Sequence, residues 1–256
     1  MSSLGTVDTN ADRPPTHVGD LLDRLLGDPG RPRLTWYGED GERVELSGAV
    51  LVNWVNKTTN LLVEEFDAGP GTTVLLDLPG HWRTLVWALA AWRVGACVVD
   101  TRGGTPDVVV TTAPEAHAGA PELVAVALPA LARAWPGPLP AGAIDAAGAV
   151  MTYGDQPGPV PPVDPAAPAV GGDRPVRHAD LVTSGPGGRT LLPAADGTGA
   201  LRRWLAVLAS SGSLVLVDAP LADRLRADPG RRDRLVGSER VEHDLLDEGA
   251  GSTSHP

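Results

Sequence analysis

Lysine, cysteine, clustered positive charge and long apolar runs are all scarce in this 256-residue chain, and each shortage removes a class of function. Lys57 is the only lysine among 21 basic residues, a bias that fits the codon composition of a GC-rich genome and is given no functional weight by itself. The one cysteine, Cys97, can make neither an internal disulfide nor a metal cluster, and its run Ala96-Cys97-Val98-Val99 marks it as a small buried thiol. A net charge of -11 and an isoelectric point near 4.9 leave no general attraction to nucleic acid or anionic lipid, because a phosphate backbone needs clustered cations. Met1 to Pro15 has neither a basic start nor an apolar run. The best apolar stretch, Leu85 to Val99, contains Arg93 and is too short to span a bilayer, so the chain reads as soluble and cytoplasmic, with no membrane partner. The six histidines are scattered without H-E-x-x-H or paired-carboxylate spacing, and no G-x-S-x-G elbow occurs; neither a metal site nor a catalytic group is expected.

What remains is enough for a substantial core. At 42% hydrophobic, the chain can bury one large α/β domain without disulfide staples. Glycine (31) and proline (25) make up about a fifth of it, so ordered elements should alternate with irregular loops. Val18, Leu21, Leu22, Leu25 and Leu26 fall at helical spacing before the stop Asp28-Pro29-Gly30. Leu34 to Tyr37 and Arg43 to Leu46 read as a hairpin about Gly38-Glu39-Asp40-Gly41. Ser47 is placed to cap a helix with the face Leu51, Trp54, Val55, Thr58, Leu61 and Leu62. Thr73 to Leu78, Trp82 to Val94 and Ala96 to Val99 then give strand, helix, strand, the order of a mostly parallel sheet with flanking helices and right-handed crossovers.

Further along, strands are expected at Asp107 to Thr111, Glu122 to Leu128, Arg189 to Leu192 and Leu214 to Val217, with a short helix within Ala141 to Met151 and a longer one at Leu201 to Ala209. Residues 155–173 form a Pro/Gly-rich loop, with six prolines between Gln156 and Pro168. The division expected is a disordered arm over 1–15, one α/β domain over 16–246 and a disordered tail over 247–256. Three smaller motifs carry two readings each. His81-Trp82 either faces a cleft at the end of the strand before it or is a turn histidine beside a packing tryptophan. Asp196-Gly197-Thr198-Gly199 either seats an anion or caps the next helix. Asn53, Asn56, Lys57 and Asn60 share one helix face, which is either solvated or an interface, since asparagine is a poor helix former unless its amide finds a partner.

The runs Leu34-Thr35-Trp36-Tyr37, Val44-Glu45-Leu46-Ser47, Asn60-Leu61-Leu62, Gly71-Thr72-Thr73-Val74, Leu78-Pro79-Gly80 and Ala88 to Val99 together resemble the N-terminal subdomain of AMP-forming acyl-CoA synthetases and other adenylating enzymes. More closely, Trp54 to Leu62 and Leu78 to Trp82 resemble a short bacterial family in which such a truncated domain stands alone. The resemblance implies a Ser/Thr-Gly-Thr-Thr-Gly-x-Pro-Lys-Gly loop, whose glycines let backbone N–H groups crowd around ATP phosphates while its lysine offsets their charge. Two segments compete for that role. Val170 to Val176, with Gly171, Gly172 and Arg174, has the position, ahead of His178-Ala179-Asp180-Leu181, which resembles the helix start behind the loop. Thr183 to Gly188, with Ser184, Gly185, Gly187 and Gly188, has the composition, with Arg189 as the nearby cation. Neither contains the lysine, and Asp173 adds repulsion to the first.

The resemblance also implies a second subdomain and a mobile lid that carry the rest of the adenylating machinery and do not occur in these residues. The expectation is therefore a degenerate, truncated adenylate-forming-like protein unable to activate acids alone, with ATP or AMP as the cofactor and a nucleotide or acyl group as the ligand implied by resemblance. The alternatives are a non-enzymatic scaffold that binds a protein partner or a second copy of itself, and a ligase fragment completed by a partner chain.

Overall fold

The computed structural model describes residues 14–99 and 105–247, so nearly all of the expected arm and tail lies outside the described residues. Helix α1 (Val18–Leu26) starts where the His17 ring accepts the Asp20 N–H, and buries Val18, Leu21, Leu22 and Leu25 as one stripe. Strands β1 (Pro32–Tyr37) and β2 (Arg43–Ser47) form the expected antiparallel hairpin. Ser47 ends it and caps α2 (Gly48–Phe66), its hydroxyl accepting the Val50 N–H at 3.3 Å. Next come β3 (Thr73–Asp77), α3 (Trp82–Arg93), β4 (Cys97–Val99), β5 (Val108–Thr111), β6 (Glu122–Ala125), β7 (Ile144–Asp145) and the short α4 (Ala146–Ala149). The Pro/Gly-rich loop carries no helix, and its end forms β8 (Pro168–Val170), which turns back into β9 (Val176–Arg177). After β10 (Arg189–Pro193), α5 (Thr198–Ala209) and β11 (Ser213–Val217) come three elements that the apolar periodicity left unmarked: α6 (Ala219–Ala227), α7 (Pro229–Glu239) and the two-residue β12 (His243–Asp244).

The strands make two sheets. One has the order β12-β10-β11-β1-β2, the other β7-β6-β5-β3-β4-β8-β9, and every pairing is parallel except the hairpins β1-β2 and β8-β9. The expectation of mostly parallel strands with flanking helices holds, while the division into two sheets was not legible. A run of buried residues says that a strand is covered on both faces, not which neighbour it pairs with.

Alternation along each strand sorts the two faces. Val74, Val98, Val108, Val110 and Val124 of the seven-stranded sheet, and Leu192, Leu214 and Leu216 of the five-stranded sheet, enter one apolar cluster with α1, α2, α3 and α5. Their neighbours Leu75, Cys97, Val99, Val109 and Leu123 pack together on the other face of the first sheet. Leu191, Val215 and Val217 pack under Leu221, Ala222 and Leu225 of α6. The main core is thus the layer between the sheets, and Cys97 is the buried thiol expected of it, its pKa raised by burial.

Helix α7 packs Leu235 and Val236 on the outer face of the five-stranded sheet and is tied there by a buried carboxylate. Glu239 is buried and accepts hydrogen bonds from the Tyr37 hydroxyl, from the Arg189 guanidinium and, at 3.0 Å, from Arg43. Burial alone would raise the Glu239 pKa, but these donors outweigh it and hold the carboxyl below the usual range. Burial and the same carboxylate push the Tyr37 phenol up.

The layered core makes a direct prediction. Leu85→Ala, in the fully buried α3, should lower stability by about 2–5 kcal/mol in urea denaturation. Leu131→Ala, at a side chain 92% exposed, should change it by less than about 0.5 kcal/mol.

Candidate functional site

Parallel open sheets bind ligands beyond the carboxyl ends of their strands, and two such ends meet around Gly80. The turn Leu78-Pro79-Gly80 leaves β3 in one sheet, and Ala194-Ala195-Asp196 leaves β10 in the other. A Cβ on residue 80 would lie 2.1 Å from the Ala194 carbonyl oxygen, so only glycine lets the two segments cross this closely. Asp196 accepts the Gly80 N–H at 2.6 Å. That bond corrects the capping reading of Asp196-Gly197-Thr198-Gly199: the aspartate staples the neighbouring turn instead, and α5 follows Gly197 (φ +84) without a side-chain cap.

His81 follows Gly80. It is buried, its ring lies 4.5 Å from that of Trp36 at a steep angle, and its Nδ1 accepts the Arg83 N–H at 3.1 Å as the cap of α3. Burial, with the charge of Arg83 as a second cause, pushes its pKa down to about 3. The neutral imidazole is therefore a packing and capping group, the turn-histidine reading of the sequence. Arg83 lies 4.4 Å over the Trp82 ring and donates to the Leu128 and Pro129 carbonyls, and burial lowers its pKa to about 10.

The two glycine-rich segments belong to different sheets. Residues 171–175 form the turn between β8 and β9. Gly171 donates to the Val98 carbonyl at 2.9 Å, and a Cβ there would meet a Val99 methyl at 2.8 Å, while Gly172 (φ +102) stands in open space. Asp173 and Arg174 are exposed at its crest. The helix expected to open at His178 is only a 3-10 turn (His178–Asp180), with His178 buried and its pKa pushed down by burial.

The second segment, Thr183 to Gly188, crosses α5. Gly185 donates to the Ser210 hydroxyl at 2.8 Å, and a Cβ on it would press into the Ala206 backbone at 2.9 Å. Gly188 lies against Glu242, and Gly187 against the Ser210 carbonyl. Thr183, Ser184, Gly185 and Pro186 form one wall of a cavity of about 480 Å³ whose other side is α5.

The asparagine stripe turns inward. The Asn56 amide donates to the Asp155 carbonyl at 2.8 Å, and Asn60 donates to the Gly154 and Gln156 carbonyls and accepts the Gly158 N–H. Lys57 donates to the Tyr153 carbonyl and pairs with the Asp155 carboxylate at 2.8 Å, which lowers the Asp155 pKa through that hydrogen bond and charge. Asn53 also bonds the Asp155 carboxylate. These four residues had been expected to face solvent or a partner. They hold the start of the chain's own Pro/Gly-rich loop, whose backbone groups have no strand or helix to satisfy them. A proline-rich loop far along the chain leaves no periodic trace in the sequence of α2, so this pairing could not be read from spacing.

A polar cluster that the sequence did not signal sits at the carboxyl end of the seven-stranded sheet. Asp77 accepts from the Thr111 hydroxyl at 2.8 Å and lies 2.8 Å from His117 Nε2. The described residues contain no group of three or more His, Cys, Asp or Glu side chains able to hold a metal, and no described helix is long and apolar enough to cross a membrane.

No family model matches the chain. Over 253 residues it is 34% identical to a TIGR03089 family protein of Mycobacterium tuberculosis (strain ATCC 25618 / H37Rv), with 89% of this chain and 97% of that protein covered. Among solved structures, the fold is similar to an acyl-CoA synthetase of Brucella canis (TM-score 0.65, 18% identity, 82% of this chain and 45% of that one). It is also similar to an acetoacetyl-CoA synthetase from Streptomyces lividans (TM-score 0.63, 17% identity, 79% of this chain and 38% of that one). The chain spans less than half the length of either synthetase, and at these identities the likeness is one of fold.

Two measurements check this geometry. Asn60→Ala removes both faces of the loop clasp and should cost about 1–3 kcal/mol, with faster proteolytic nicking between residues 154 and 158. His81, neutral in the fold with a pKa near 3 against an ordinary 6.5, binds fewer protons folded than unfolded across that window. Stability should therefore fall as pH drops from about 6.5 towards 3. His81→Asn keeps a capping side chain and should flatten that fall in urea denaturation measured at stepped pH.

Proposed function

Since the chain belongs to the TIGR03089 family, with the layered fold of part of an acyl-CoA synthetase, we propose that it is a degenerate adenylate-forming-like protein. On this reading it binds an acyl or nucleotide ligand and does not activate acids by itself. The observation that carries it is the β8-β9 turn. The turn has the position expected of the phosphate loop, with Gly171 pressed on β4 and Gly172 in the left-handed region. Its side chains do not match that role. Asp173 and Arg174 stand side by side at the crest, so the turn offers a triphosphate no net positive charge, and Pro175 and Val176 supply none. Lys57 cannot serve instead, because its ammonium group is held by Tyr153 and Asp155.

Loss of one preorganised donor to a transition-state oxyanion costs on the order of a hundredfold or more in rate, and here the charge that would oppose developing negative charge on the phosphates is cancelled. The same fold keeps a cavity lined by a glycine-containing loop, which is why retained binding, and not a bare scaffold, is the reading put forward. The test is acid-dependent exchange of radiolabelled pyrophosphate into ATP by the purified chain, across acids from acetate to palmitate. No exchange above the protein-free control is expected. Exchange that depends on both the acid and the protein would overturn the proposal.

A further inference from the structure

We propose that the cavity between the Thr183–Pro186 loop and α5 is a binding site for an organic anion, with an oxyanion head on an apolar body. This deepens the ligand-binding half of the function proposed above and stands apart from the β8-β9 turn. The cavity of about 480 Å³ is large enough for a small ligand. Its polar lining is of one kind. Arg202 and Arg203 enter it from α5 and the hydroxyl-bearing Thr183 and Ser184 from the loop, and no acidic side chain lines it. In a chain of net charge -11, two adjacent cations facing a cavity without a carboxylate are an uncompensated local field.

The state of the arginines is the second observation. Arg202 Nε is buried and has no hydrogen-bond partner. Among the described residues, Arg33, Arg189, Arg224 and Arg226 also bury an Nε without a partner, but each of those guanidiniums is held elsewhere, Arg33 by the Ser211 carbonyl, Arg189 by Glu239, Arg224 by Glu39 and Arg226 by Asp223. Among the described residues, no hydrogen bond or ion pair holds Arg202 or Arg203. Arg202 is half-buried and Arg203 exposed, and their remaining N–H groups would offer an incoming oxyanion the fork geometry that arginine presents to carboxylate and phosphate. Leu192, Val207 and Leu245 supply the apolar side, which a bare inorganic anion would leave unused.

Two ligands share this chemistry, a fatty carboxylate and a nucleoside monophosphate, and the experiment separates them. The purified full chain is titrated with octanoate, AMP and inorganic phosphate by calorimetry and by thermal shift. Octanoate or AMP should bind at least tenfold more tightly than phosphate, and whichever does so names the source. The double variant Arg202→Ala/Arg203→Ala should weaken that binding at least tenfold, with the melting temperature of the free protein nearly unchanged. Gly199 lines the same cavity, and a Cβ on it meets nothing within 4 Å, so Gly199→Phe should fill the space and weaken binding with both arginines in place. Absence of binding of all three probes at millimolar concentration, phosphate binding as tightly as either organic anion, or binding that survives the double variant would each overturn the proposal. None of these outcomes bears on pyrophosphate exchange, so failure here and failure of the proposed loss of activation are separately visible.

Discussion

A helix that is buried on every side can persist only if something closes over each face, and α3 sets that condition for the whole molecule. All eleven residues from Trp82 to Trp92 are buried, the charged Arg83 and the hydroxyl of Thr84 among them. Such a helix has no solvent face on which to place polar groups, so they are answered from neighbouring segments, except the buried Trp82 indole N–H, which has no partner among the described residues. Thr84 donates to the Pro79 carbonyl, Arg83 to the carbonyls after β6, and the Trp92 indole to the Ala169 carbonyl at 2.9 Å. Those bonds reach both flanks of the seven-stranded sheet, while the apolar side chains of α3 share one cluster with the inner faces of both sheets. Strands β3 and β4 cover one side of α3, and α1, α2 and α5 close over the rest.

The same condition shapes the surroundings of Gly80. For the segments leaving β3 and β10 to cross over the start of α3, one of them must lack a side chain, and the Gly80 N–H must find an acceptor, which Asp196 provides. His81 then spends its Nδ1 on the helix cap and its ring on Trp36. At this junction of carboxyl ends, the polar groups of Gly80, His81 and Asp196 described above are committed to structure. The cavity lined by Arg202 and Arg203 lies instead along α5, from Gly199 to Val207.

Local signals carried most of the early elements. The stripe of α1, the cap at Ser47, the hairpin about Gly38 to Gly41 and the strands β3 to β5 each rest on residues within one or two turns of chain, and each was legible. Elements whose reason to exist is remote were not. Helix α7 has a weak apolar pattern and buries only Glu239, and it is fixed by a carboxylate that meets Tyr37, Arg43 and Arg189 across long sequence separations. Strand β12 is two exposed residues that extend β10. The asparagine stripe was visible as an anomaly, since three poor helix formers on one face require partners, but the partner was another part of the same chain.

The site shows a related division. That two glycine-rich segments competed for one role was plain from composition, and their separation into different sheets was not, because glycine spacing records local backbone freedom and carries no address. What distinguishes them is the kind of neighbour each has kept. The β8-β9 turn sets an acid and a base side by side at its crest, whereas the Thr183–Pro186 loop, which lacks the lysine but has the glycine composition, faces Arg202 and Arg203 across a cavity. Backbone shape is held by packing, here Gly171 against Val99, and survives as long as the fold needs it. Arg202, half-buried, and Arg203, exposed, are not held in this way by any hydrogen bond or ion pair among the described residues. Of the two segments, the one that faces Arg202 and Arg203 is therefore the one that the sequence resemblance had matched by composition and not by position.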